Sequence, residues 1–146
     1  MKAPHLLRVA LPAARFAPLF AALRAAGLRY GWLELPAQGA SEPAPLPEGL
    51  AAAADLGALR AVAVGAGRSV AVKPLRGAAV VRDLLREHFQ GCTVVLVLGD
   101  GGGDLPLLEP DAERDDTWRV APPGAAVRVL SGEALVAALR RPHPFG

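Results

Sequence analysis

The chain is poor in cysteine, lysine and large aromatic side chains, and each shortage closes off a class of function. Cys92 is the only cysteine among 146 residues. An internal disulfide and a cysteine-cluster metal site are therefore excluded, and a cytoplasmic location follows as the default. Lys2 and Lys73 are the only lysines, so arginine supplies nearly all of the sixteen basic residues. Alongside abundant Ala, Gly and Pro, that bias is what a GC-rich coding sequence produces. An arginine here needs a positional argument before it is read as functional. With four Phe, two Trp and one Tyr, the core must be built mostly from small aliphatic side chains, and its elements can approach closely. No apolar run reaches the ~18 residues of a membrane span. The phosphate-loop pattern GxxxxGK[ST], the dinucleotide pattern GxGxxG, a nucleophile elbow and HExxH are all missing, so neither a cofactor nor a metal is expected.

What is present is a chain that is 52% apolar and of a size suited to one domain spanning residues 1–146. Its most self-consistent stretch is Ser69–Asp100, SVAVKPLRGAAVVRDLLREHFQGCTVVLVLGD. Val70 and Val72 alternate with Ala71 and Lys73 at the period of a half-buried strand. Gly77 is expected to open a helix whose apolar residues Val80, Val81, Leu84, Leu85 and Phe89 share one side. Gly91 then stops it. TVVLVL follows without a polar residue after Thr93, which suits a central strand covered on both faces.

The rest of the chain is consistent with an α/β arrangement. Leu6–Leu11 reads as a first strand. The opening MKAPHLLRVALPAA has the outline of a leader peptide, but Arg8 interrupts its apolar run and the strand reading is preferred. A helix over 14–26 follows, its regular part starting near Ala17 because Pro18 suits a first helical turn. Leu28–Leu35 completes a β-α-β unit. The Pro-rich segment 36–47 has no periodicity and is expected to be a surface loop. A short helix over 48–56 leads to a hairpin, Leu59–Val64 with Ser69–Lys73. Segment 100–116 is either a Gly-rich acidic loop or the turn of a second hairpin. Trp118–Ala121 and Ala126–Leu130 are strands, and Ser131 caps a last helix over 132–140. The fold expected is a single α/β domain, a mixed sheet of about five to seven strands with packed helices.

The net charge of +2 conceals a segregation: residues 1–99 hold eleven Lys/Arg and six acids, while 100–116 hold seven acids and one arginine. The basic excess is scattered over several elements, which supports nucleic-acid binding only weakly. Lys73, Arg76 and the amides near Gly77 form a candidate anion site at a helix start. Asp100 and Asp104 around three glycines could hold a divalent cation or serve as acid and base, but no third ligand sits at a recognisable spacing and a polar hairpin turn is the preferred reading. His88 falls within the apolar side of its helix, so it is either a buried hydrogen-bonded histidine or a proton-transfer group. Cys92 reads as a small buried residue.

Two stretches resemble known families. LRVALPAARFAPLFAALRAAGL is similar to the opening strand and helix of ATP phosphoribosyltransferases. FAALRAAGLRYGWLELP and SVAVKPLRG resemble the substrate domain of shikimate dehydrogenases. In place of that family's Ser-x-Ser-Pro, this chain has Arg15-Phe16-Ala17-Pro18, and in place of Asn-Val-Thr it has Ser69-Val70-Ala71. The polar substrate groups and the cofactor domain are missing, so neither family is assigned.

The leading expectation is therefore a non-enzymatic binding module that takes a protein partner or associates with itself as a homodimer. Trp32 or Trp118 would lie in the contact, since large aromatics beside flexible segments are enriched at interfaces. The alternative is a small cytoplasmic enzyme acting on an anionic metabolite. Lys73 and Arg76 would hold the anion, and Asp100 or His88 would move the proton.

Overall fold

An uninterrupted apolar strand needs hydrogen-bond partners on both edges and cover on both faces, and Val94–Leu98 has both. The computed structural model describes residues 2–35, 47–99 and 103–145. In chain order the elements are β1 (His5–Val9), a 3-10 turn (Ala13–Phe16), α1 (Ala17–Ala25), β2 (Tyr30–Glu34) and α2 (Glu48–Asp55). They continue with β3 (Ala61–Val64), β4 (Ser69–Val72), α3 (Val81–His88), β5 (Val94–Leu98), β6 (Leu107–Pro110), β7 (Thr117–Ala121), β8 (Arg128–Ser131) and α4 (Gly132–Leu139). The main sheet has six strands in the order β2-β5-β1-β6-β7-β8, and β3-β4 form a separate pair. The fold is thus α/β, with a mixed six-stranded sheet and packed helices.

Strands β2, β5, β1 and β6 run parallel, and β7 and β8 are antiparallel additions. Val94, Val95, Leu96 and Val97 in β5 are all buried. One sheet face carries Leu7, Val9, Leu96, Leu108, Trp118 and Val120 against Phe16, Leu19 and Leu23 of the first helical segment and Leu135 and Leu139 of α4. Alternation sends Leu6, Arg8, Val95, Leu107, Glu109 and Arg119 to the other face. There Phe89, just past α3, lies on Gly31 so closely that a β-carbon at Gly31 would collide with its ring. At the sheet's opposite end α4 begins on a built cap, the Ser131 Oγ accepting from the Ala134 amide at 3.1 Å.

Several expectations need correction. β5 and β6 do not pair as a hairpin, because they flank β1 and run parallel to it; the hairpin in this part of the chain is β6-β7, which turns over residues 111–116. The α3 helix starts at Val81 rather than Gly77, whose φ of +88° takes it out of the right-handed helical region. Trp118 is a core residue at 2% exposure, stacked on Phe16 with ring centres 5.9 Å apart, and cannot serve as an interface anchor. Trp32 is half-buried, edge-on to Phe20, and its indole N–H donates to Glu34 Oε1 at 3.0 Å. The Pro-rich segment lies outside the described residues except for Pro47, which precedes α2. Among the described residues, no helix is long and apolar enough to cross a membrane.

Leu96 is fully buried at the middle of β5, between β2 and β1. Leu96→Ala should therefore lower unfolding stability by about 2–5 kcal/mol, the range for buried Leu truncations. Urea denaturation monitored by tryptophan fluorescence reads this directly, and a loss below about 1 kcal/mol would contradict a close-packed site.

Candidate functional site

The β3-β4 hairpin, the end of α2 and the flank of α3 enclose an open groove of about 1040 Å³. Three of the sequence-selected groups meet there: Lys73, Arg76 and His88 all line it. Gly77 lies in the bend that follows Arg76, four residues before α3 begins, so its amide is not part of a helix N-terminus. Asp100 lies outside the described residues.

Glu87 organises the charges of the groove, a role the sequence did not signal. Its Oε2 accepts from Lys73 Nζ at 2.7 Å, and its Oε1 is bound by the Arg60 guanidinium. The partners are 14 and 27 residues away in sequence, beyond any local helical spacing. On sequence alone Glu87 belongs to the solvated side of a helix. The hydrogen bond from Lys73 is the largest influence holding its carboxyl below the ordinary glutamate range, with the Lys73 and Arg60 charges adding to it. Lys73 is thus already engaged with a carboxylate, whereas Arg76 has no charged partner among the described residues.

His88 is exposed rather than buried. Only Phe89 carries this end of the helix onto the sheet, so the residue before it faces the groove and meets the Phe89 ring edge-on at 6.4 Å. Cys92 is half-buried at the opposite, N-terminal end of the sheet, beside His5. Burial is the main cause that lowers the His5 pKa from its ordinary value.

In open parallel sheets a second place to look is the carboxyl end of the strands, where ligands usually bind. Here the turn after β1 is Ala10-Leu11-Pro12, then the 3-10 segment ending in Phe16. Phe16 has no exposed surface and sits 5.9 Å from both Trp32 and Trp118, ring centre to ring centre. Pro12 and Pro18 each lack a backbone donor. The join has no glycine, so it lacks the close backbone approach used to cradle phosphate, and its one cation, Arg15, is exposed and lines a hollow beside Glu109 and Asp111. An aromatic cluster fills it instead.

The Glu87 geometry has a measurable consequence. A carboxylate with a depressed folded-state pKa contributes stability above its unfolded pKa and loses it as pH falls through the lowered value. In an NMR titration, Glu87 should therefore protonate below the ordinary glutamate range, and Lys73→Met should move it back toward that range. Identical titration curves for wild type and variant would rule out the ion pair in solution.

No family model matches the chain, and no curated protein matches its sequence. Among solved structures, the fold is similar to that of Bacillus subtilis MobB, with a TM-score of 0.51 and 20% identity, covering 77% of this chain and 71% of MobB. At that identity the likeness establishes the shared architecture alone.

Proposed function

We propose that this chain is a non-catalytic interaction module that associates with a second copy through its β3-β4 hairpin. One observation carries this reading. Of the nine exposed large hydrophobic residues among the described residues, seven fall between Leu56 and Val80: Leu56, Leu59, Val62, Val64, Val70, Leu75 and Val80. In the hairpin register, Val62 and Val64 lie on one face and Val70 and Val72 on the other. Neither face carries a charge, and every hairpin residue except Ala61 and Val72 is exposed.

A two-stranded ribbon alone is marginal in water, and a strand apolar on both faces is normally covered on both. Clustered apolar surface of this kind marks an interaction site. A second copy is the one cover that every solution of this protein contains. The aromatic plug at the end of β1 supports the non-catalytic part of the reading, because it occupies the place where α/β sheets usually hold a small ligand.

Sedimentation at micromolar concentration should give a dimer mass. Val64, at 82% exposure, can take a charge without disturbing the fold, so Val64→Asp should shift the mass toward monomer with an unchanged far-UV circular dichroism spectrum. A wild type that stays monomeric would sink the reading.

A second reading rests on the convergence of Lys73, Arg76 and His88 on one groove, which suits a small anion. Its test is thermal: sulfate or phosphate should raise the melting temperature of the wild type but not of Lys73→Ala/Arg76→Ala. Equal behaviour of the two proteins would dispose of the anion site.

A further inference from the structure

The chain carries a second uncovered apolar surface, and its charge is opposite to that of the hairpin. Alternation along β6, β7 and β8 places Leu107, Glu109, Arg119 and Val129 on the face turned away from α1 and α4. Val127 and Val129 are 47% and 48% exposed there. With the hairpin cluster they account for all the exposed large hydrophobics among the described residues.

The rims of the two surfaces differ in sign. From Leu56 to Arg82 the chain has five cations, Arg60, Arg68, Lys73, Arg76 and Arg82, and no acid. Arg60 and Lys73 are tied to Glu87, while Arg68 at the hairpin turn and Arg76 have no charged partner among the described residues. On the other surface, Glu109 and Arg119 stand opposite each other across adjacent strands and offset one another. Beside them, the turn after β6 holds Asp111, Glu113, Asp115 and Asp116 against a single cation, Arg114. Arg15 also lines the hollow of about 620 Å³ bounded by this turn and the sheet, but the turn remains net acidic.

We infer that the hairpin of one copy seats on the β6-β7-β8 face of a second copy, its basic turn meeting the acidic turn, with the exchange repeated about a two-fold axis. The inference rests on the self-association proposed above and names what the hairpin meets. Reciprocity matters energetically: each patch is modest, and using both on each copy doubles the buried area toward the roughly 1,200–2,000 Å² of stable interfaces. Opposite rims also fix the register and disfavour hairpin-to-hairpin contact, where like charges would face each other.

The test is a charge exchange between copies. One variant carries Arg68→Glu/Arg76→Glu, the other Glu113→Lys/Asp115→Lys, all at exposed positions. Alone, each variant should show a dimer Kd raised about tenfold or more, the effect of placing like charges at a rim. Mixed in equal amounts, they should regain the wild-type dimer mass as heterodimers, since both contacts then pair opposite charges. Variants that dimerise like the wild type, or a mixture that stays monomeric, would overturn the inference. If Val64→Asp still loosens the wild-type dimer in that case, the hairpin reading stands and only its mate is wrong. A monomeric wild type would remove both. Assemblies that grow with concentration would rule out the two-fold exchange.

Discussion

The structure depends on the need to cover β5. Its backbone groups are satisfied by β2 on one edge and β1 on the other, and its four buried side chains alternate between the faces. Such a strand is stable only if both faces are kept dry, because exposed Val and Leu would forgo about 1.5–3 kcal/mol of burial each. The two faces meet this demand differently. On one, α1 and α4 form a full layer with the aromatic trio of Phe16, Trp32 and Trp118. On the other, Val95 and Val97 are just as buried, and the Phe89 ring rests on Gly31, where any side chain would collide with it.

That asymmetry has a chemical consequence at the end of β1. The first helical segment brings Phe16 fully into the core to complete the covered face, so the join from strand to helix is made mostly of proline, alanine, Leu11 and a buried ring, with Arg15 turned out to the surface. The architecture shared with MobB is an arrangement of strands and helices, and in this chain the join after β1 is taken up by packing. Packing and ligand binding compete for the same few residues, and here packing has them.

Much of this architecture is legible locally. The uninterrupted TVVLVL run announces a doubly covered strand, Ser131 announces a helix start, and Pro18 marks where α1 becomes regular after its 3-10 turn. The hairpin could be read from two short alternating runs around Gly65 and Gly67. Strand order could not. Nothing within 100–116 says that β6 must cross to the far side of β1, because that choice is set by which sheet edge is vacant. The groove follows the same logic. Lys73, Arg76 and His88 drew attention by residue type, yet the group that binds the groove together is Glu87, whose partners lie on distant elements. Trp118 misled for a related reason: its neighbours in sequence are polar and flexible, while its neighbours in space are Phe16 and Leu130.

The position of the hairpin follows from those same charges. Glu87 ties Arg60, just before β3, and Lys73, just after β4, to one point on α3. Both strand ends are held on the same side, so the ribbon projects from α3 with its turn, Gly65 to Arg68, farthest from the anchor. Exposed ion pairs contribute little to global stability, about 0–1 kcal/mol each. They can still set orientation where nothing stronger competes, and here the competing term would be collapse of Val62 and Val64 onto the body of the protein. An apolar ribbon that packs on α2 and is tied to α3 by charges at its base still presents most of its residues as contact surface.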